Sequence, residues 1–240
     1  MIIQTLISPN FSKKLRKNSD IKLIVIHYTG MQSRIESIKR LLNPRHKVST
    51  HYLIDRKGRI FKMVDDNKIA WHAGKSKWKN YINLNKYSIG IELVNKGHEF
   101  GYEEFTISQV NKLIKLCKNL KNKYKIKNSN IVGHSDIAPL RKQDPGEKFP
   151  WQKLQKNKIG IWYKKLQSKS LNLNDKKLKK LFFANLFKIG YRYFSKNRRS
   201  KKDIFLIEAF QRRFLPNKVT GKIDEKTLKI SNFLVNHIKN

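Results

Sequence analysis

Four consecutive β-branched or leucine residues, Leu23-Ile24-Val25-Ile26, make the stretch Lys22–Tyr28 read as a buried strand, and that strand runs into a histidine, His27. Strand and helix patterns then alternate. Ser33 to Leu42 predicts a short helix that stops at Asn43-Pro44, because proline disfavours a helical conformation in the residue before it. Thr50–Asp55 and Arg59–Val64 flank Arg56-Lys57-Gly58, a hairpin signal with its turn glycine. From Tyr87 to Val94 the sequence alternates, with Ile89, Ile91 and Leu93 on one face and Gly90 and Glu92 on the other, as a half-buried strand requires. Thr106-Ile107-Ser108-Gln109 is a capping box, after which Ile107, Val110, Leu113, Ile114, Cys117 and Leu120 recur at helical spacing up to Tyr124. Strands interleaved with helices in this manner predict an α/β domain, a mixed central β-sheet flanked by helices.

A chain of 240 residues is long enough for one large domain, or a medium domain with a small partner. Its formal charge of +37 raises the question of a nucleic-acid or anionic-surface binder. Recognition of nucleic acid concentrates charge on one element, whereas here residues 1–170 and 171–240 are both basic, and Lys, Asn and Ile are used heavily throughout. That distribution describes a bias of the whole chain, and no specific nucleic-acid partner is expected. A single cysteine excludes an intrachain disulfide, and Cys117 falls within a helical apolar pattern, as a small buried hydrophobe does. No apolar run reaches bilayer-spanning length. The opening Met1-Ile-Ile-Gln-Thr-Leu-Ile-Ser-Pro9 lacks the basic region and cleavage site of a standard secretory signal.

The densest chemistry lies between Ile131 and Pro150, which packs His134, Asp136, Arg141, Lys142 and Asp144 into a segment too rich in Pro and Gly for a regular helix or strand. His134 follows the short strand-like run Asn130-Ile131-Val132, and Asp144 precedes the Pro145-Gly146 turn. With His27 they offer two imidazoles and one carboxylate, the donor set of a catalytic zinc that keeps a fourth position open for water. Spacing by itself does not separate this from hydrogen-bonded histidines at strand ends, because His27 lies far from His134 and no short fixed spacing joins them.

Six blocks in order bear a resemblance: Val25-Ile-His27-Tyr-Thr, Val48-Ser-Thr-His51-Tyr, Trp71-His-Ala-Gly74, Ser88-Ile-Gly-Ile-Glu92-Leu, Val132-Gly-His134-Ser-Asp-Ile-Ala-Pro139 and Arg141-Lys-Gln-Asp144-Pro-Gly. Together, over about residues 20–165, they resemble the zinc-dependent N-acetylmuramoyl-L-alanine amidases of the AmpD and AmiD branch. The resemblance implies one Zn2+ per chain, held by His27, His134 and Asp144, with Glu92 as the catalytic carboxylate and Lys142 as the basic residue beside it. It implies groove positions for Trp71, His72, Asn85 and Arg141, a structural or supporting place for His51, and Asp144 rather than Asp136 as the carboxylate ligand. His46 and His98 match nothing in the family. The implied substrates are peptidoglycan or the anhydromuropeptides released from it, cut between the muramic acid lactyl group and L-alanine.

Beyond Trp162-Tyr163 the composition turns to Lys, Ser and Asn, which reads as a linker over 166–176 between a catalytic domain, 1–165, and a helical domain, 177–240. Leu178, Leu181, Phe182, Leu186 and Ile189 predict one amphipathic helix, Ile204–Phe214 a second, and Thr220–Leu228 a turn into a third. Ala209-Phe-Gln-Arg-Arg-Phe214 and Gly221-Lys-Ile-Asp-Glu-Lys-Thr227 resemble the two best blocks of the three-helix peptidoglycan-binding domain that follows some amidases. Arg198-Arg-Ser-Lys-Lys202 departs from that domain's usual Asp-Gly stretch, and a helical cap packed on the amidase is the other reading. An appended wall-binding domain points to the cell envelope, whereas the absent signal points to the cytoplasm. Oligomeric state is not legible. A receptor that binds peptidoglycan without cutting it is the alternative to the enzyme, and it predicts a missing ligand; all five candidate metal and catalytic residues are present.

Overall fold

The computed structural model describes residues 2–164, 166, 170–195 and 198–238. The first half builds β1 (Ile3–Thr5), β2 (Phe11–Ser12), β3 (Leu23–Tyr28), α1 (Arg34–Leu42), β4 (Tyr52–Ile54), β5 (Ile60–Lys62), β6 (Ile69–Ala70), β7 (Lys77–Trp78), β8 (Tyr81–Ile82) and β9 (Ser88–Leu93). The second half adds α2 (Ile107–Tyr124), β10 (Ile131–Gly133), α3 (His134–Ile137), α4 (Trp151–Lys156), α5 (Asp175–Ile189), α6 (Asp203–Phe214) and α7 (Glu225–His237). The central sheet has the order β1-β5-β4-β9-β3-β10, antiparallel between β4 and β5 and parallel elsewhere.

The capping box expected at Thr106 is present, and α1 has a cap beyond those expected from the sequence. Ser33 Oγ accepts the Glu36 N–H at the head of α1, and Thr106 and Gln109 close a reciprocal capping box at the head of α2. Alternation along β3 serves two cores at once. Ile24 and Ile26, with Ile89 and Ile91 of β9, face Val110, Leu113, Cys117 and Leu120 of α2. Leu23 and Val25, with Val132 of β10, belong to a second core that continues through Trp78 and Ile137 to Phe182, Phe210, Phe214 and Leu228 of the C-terminal helices. Such a strand must be apolar on both faces, which is why β3 shows an unbroken hydrophobic run.

Two expectations are corrected here. The alternating stretch at β9 is not half-buried: all six of its residues are buried. Alternation reports the polarity of a face and not what covers it, and the second face is closed by the 71–74 loop. The His72 ring lies against Gly90 so closely that a Cβ there would sit 2.4 Å from the imidazole Cγ. The Pro- and Gly-rich segment 131–150 also contains regular structure, since β10 and the short α3 occupy its first seven residues. The carboxylate of Asp136 accepts the Gly133 N–H at 2.8 Å and closes that turn locally.

Of the stretch 166–176, residues 167–169 lie outside the described residues. Leu171 and Leu173 pack against the second core, and α5 already begins at Asp175, capped by Asn174. Gln211 explains why the two C-terminal blocks occur together: its Oε1 accepts the Thr220 and Gly221 N–H groups at 2.9 Å each, and its Nε2 donates to the Lys222 carbonyl. Asp224 then caps α7 by accepting the Thr227 N–H at 2.7 Å. Among the described residues no helix is long and apolar enough to cross a membrane.

Candidate metal centre

The parallel strands β3, β9 and β10 end at the same edge of the sheet, where open α/β sheets place their ligands. Register does the rest. His27 pairs with Glu92 across β3 and β9, and Gly133 pairs with Ile26, so His134 emerges beside His27. Asp144 is brought back to this point by the Ser135 N–H, which donates to its backbone carbonyl at 2.8 Å.

The three side chains form a tight triangle. His27 Nδ1 lies 3.0 Å from His134 Nδ1 and 3.0 Å from Asp144 Oδ2, and His134 Nδ1 lies 3.1 Å from the same oxygen. The hydrogen bonds around them determine where the imidazole protons sit. Ser88 Oγ spends its proton on the Leu84 carbonyl at 2.7 Å, so it can only accept from His72 Nε2 at 3.1 Å. His72, neutral with its proton on Nε2, then accepts at Nδ1 from His27 Nε2 at 3.0 Å, which leaves His27 Nδ1 a bare lone pair. His134 Nε2 donates to the Ala73 carbonyl at 3.2 Å, leaving its Nδ1 bare as well. Arg141 Nη2 lies 3.4 Å from His134 Nε2 and does not donate to it, because both Nη2 protons go to the Ala73 and Lys75 carbonyls.

Two imidazole lone pairs and a carboxylate oxygen therefore converge on one point. Tetrahedral coordination at about 2.1 Å places donor atoms about 3.4 Å apart, within a few tenths of an ångström of this triangle. The residues present fit a metal ion with the donor preferences of zinc, and a tetrahedral ion held by these three would keep a fourth position open. Burial keeps the set ready: His27 is pushed down to about 4, first by desolvation and then by His134, and His72 lies well below the usual imidazole range, again mainly through burial. Burial opposes ionisation of Asp144, but His134 and His27 outweigh it and hold that carboxyl well below its usual range.

A cleft of about 390 Å3 opens onto this triangle, lined by the three donors together with His72, Glu92 and Lys142. Glu92 is buried, and its Oε2 has no hydrogen-bond partner among the described residues. Desolvation raises its pKa well above the carboxylate range and Asp144 adds to the shift, while Lys142 opposes both. Arg141 also lines the cleft, held against the 73–75 backbone. Trp71 and Asn85 are not among the lining residues: Asn85 Oδ1 accepts the His72 and Ala73 N–H groups and so shapes the loop from behind. His98, which no motif singled out, lies in the cleft between Tyr28 Oη at 2.8 Å and Glu147 at 3.1 Å. Arg16 was also missed. It is buried, donates to the Asp66, Asn85 and Ser88 carbonyls and lies 2.8 Å from His51 Nε2, contacts too distant in sequence for any local pattern. A larger groove of about 720 Å3 on α5 is lined by basic and phenylalanine side chains and holds none of the donors.

Residues 17–147 match the family model for N-acetylmuramoyl-L-alanine amidase. The chain is 34% identical over 230 residues to the N-acetylmuramoyl-L-alanine amidase AmiD of Escherichia coli, covering 90% of this chain and 82% of that protein. It is 35% identical over 164 residues to the 1,6-anhydro-N-acetylmuramyl-L-alanine amidase AmpD of Haemophilus influenzae, covering 61% of this chain and 86% of that one. Among solved structures, Escherichia coli AmiD in complex with anhydro-N-acetylmuramic acid-L-Ala-D-gamma-Glu-L-Lys superposes with a TM-score of 0.79 at 32% identity, covering 95% of this chain and 92% of that one. AmpDh3 of Pseudomonas aeruginosa in complex with anhydromuramic pentapeptide gives a TM-score of 0.77 at 30% identity, with 94% of both chains covered.

Proposed function

Because this chain belongs to the N-acetylmuramoyl-L-alanine amidase family, we propose that it hydrolyses the amide between the lactyl group of N-acetylmuramic or anhydromuramic acid and the L-alanine of the stem peptide, in cell-wall turnover or recycling. The observation that carries this reading is the convergence of the bare His27 and His134 Nδ1 atoms with Asp144 Oδ2 beside the buried Glu92, whose Oε2 has no hydrogen-bond partner among the described residues. One Zn2+ bound by these three residues would supply an acidified water and polarise the scissile carbonyl at neutral pH.

The remaining work falls to side chains of the cleft. Glu92, made more basic by burial, takes a proton from the attacking water and returns it to the leaving L-alanine nitrogen as the C–N bond breaks. Lys142, which lines the cleft, would stabilise the oxyanion that develops on the lactyl carbonyl as a nearby cation. His72 holds the His27 tautomer through the Ser88 relay. Arg141 borders the groove in which the substrate lies. Residues 177–240 are proposed to contact wall polymer, supported by the two sequence blocks that Gln211 joins and by the AmiD likeness, which extends over nearly the whole chain.

The test is mass spectrometry of products from purified protein incubated with intact sacculi and, separately, with an anhydromuramyl tetrapeptide, each with and without a chelator and alongside Glu92→Ala. Free stem peptide beginning with L-alanine is expected only where both zinc and Glu92 are present. No cleavage of either substrate by the zinc-loaded wild type would overturn the catalytic reading.

A further inference from the structure

Asp136 lies two residues beyond His134, and its surroundings differ from those of an ordinary loop carboxylate. It is 1% exposed. Its Oδ1 accepts from Tyr191 Oη at 2.5 Å, and its Oδ2 accepts from Arg213 Nη1 at 2.5 Å and from the Gly133 N–H at 2.8 Å. Both distant donors come from the C-terminal helical region: Tyr191 follows the end of α5, and Arg213 is carried by α6. Arg213 is 2% exposed, donates from Nη2 to the Ile131 carbonyl of β10 at 3.0 Å, and lies 4.2 Å from the Trp151 ring centroid.

We propose that Arg213 and Tyr191 are positioning residues of the metal centre, which grip Asp136 and through it hold His134 and Asp144 in ligand geometry. The inference rests on reading His27, His134 and Asp144 as a metal site. The path is short. His134 opens α3, Asp136 is in the same turn, and the intervening Ser135 N–H fixes the main chain of Asp144. A buried carboxylate deprived of its cation is strongly unfavourable, so without Arg213 the α3 turn must shift until water reaches Asp136. Metal donors tolerate only a few tenths of an ångström, and a shift of that turn moves two of the three. A tie that merely held the C-terminal helices in place would stabilise the fold and leave metal affinity untouched.

The experiment measures zinc affinity of full-length protein by competition with a chromophoric chelator, with circular dichroism and urea unfolding on the same samples. Arg213→Met, which keeps an unbranched apolar stem and removes the guanidinium with its charge, is expected to weaken zinc binding about 10- to 100-fold. Tyr191→Phe, which keeps the ring against Trp78 and loses one hydrogen bond, is expected to weaken it by a smaller factor, and Arg213→Lys to recover part of the loss. Leu228→Ala removes buried volume from α7, which supplies none of the hydrogen bonds to Asp136 among the described residues, and is expected to lower the urea midpoint with zinc affinity unchanged. Should Arg213→Met fail to fold, Tyr191→Phe decides. The proposal falls if the folded Arg213 and Tyr191 variants bind zinc like wild type, or if Leu228→Ala weakens binding as much as Arg213→Met. Wild type that binds no zinc at all would overturn the metal reading and this inference together.

Discussion

His51 Nδ1 accepts the Gly90 N–H at 3.0 Å while the Arg16 guanidinium lies against Nε2, so the ring is fully buried with a cation beside it. Desolvation and then Arg16 push it down to about 3. A histidine in the unfolded chain titrates near 6.5, so between pH 6.5 and 3 the unfolded state binds the extra proton and folding stability is lost as pH falls. The loss from this one group amounts to about 3 kcal/mol by pH 4 and becomes negligible above about pH 7.5. His51→Asn places an amide oxygen where Nδ1 accepts from Gly90 and removes the titration. Urea unfolding at steps from pH 7 to 4 is expected to show a shallower decline for the variant than for wild type. Parallel declines would show that His51 does not carry the acid sensitivity. Glu92 stands at the same scale with the opposite emphasis: a buried oxygen without a partner costs about 1–3 kcal/mol, a penalty located at the atom proposed to handle the proton.

At the scale of elements, β9 and the 71–74 loop act as one unit, because the His72 ring rests on the bare Cα of Gly90. In Gly90→Ala the new methyl would stand 2.4 Å from the imidazole Cγ, and both neighbours are buried, so the loop must lift and the His72–His27 hydrogen bond lengthen or break. The expected outcome is a stability loss of about 1–3 kcal/mol, as for other overpacked cores, together with lower activity at saturating zinc. A thermal melt and a product assay on the same variant check it; wild-type values in both would mean that the loop yields without cost. The sequence announced this unit only in part. The Thr106 capping box, the Asn43-Pro44 stop and the hairpin glycine place α2, the end of α1 and the β4–β5 hairpin, because each depends on neighbours a few positions away, whereas the three candidate donors are reached only through the six ordered blocks of the resemblance. Contacts that join distant residues were invisible: Arg16 to Ser88, the loop closing over Gly90, and Arg213 to Asp136 leave no periodic trace. Asp136 read as a decoy carboxylate for the same reason, since its partner lies 77 residues away.

For the molecule as a whole, the question is whether the C-terminal helices are a passenger or part of the folding unit. The sequence suggests a linker and a separate small domain, and a tethered domain of that kind would unfold in its own transition. The packing argues for coupling. Trp78 is fully buried beside Tyr191 in the core that joins the sheet to α5, α6 and α7, and the Arg213–Asp136 pair is enclosed between them. Unfolding the helices alone would uncover that apolar surface and strand the Asp136 carboxylate, and breaking a buried ion pair by withdrawing one partner costs about 3–5 kcal/mol. A partly unfolded state is therefore disfavoured against both the native and the fully unfolded chain. Differential scanning calorimetry of the full-length protein is expected to show one transition with equal calorimetric and van't Hoff enthalpies. The ionic strength should be high enough to screen the repulsion of a +37 chain. Two resolved transitions, the smaller one abolished by deleting 177–240, would make the helices an independent unit. In that case any influence of Arg213 on the metal centre would vanish at the temperature where the first transition ends.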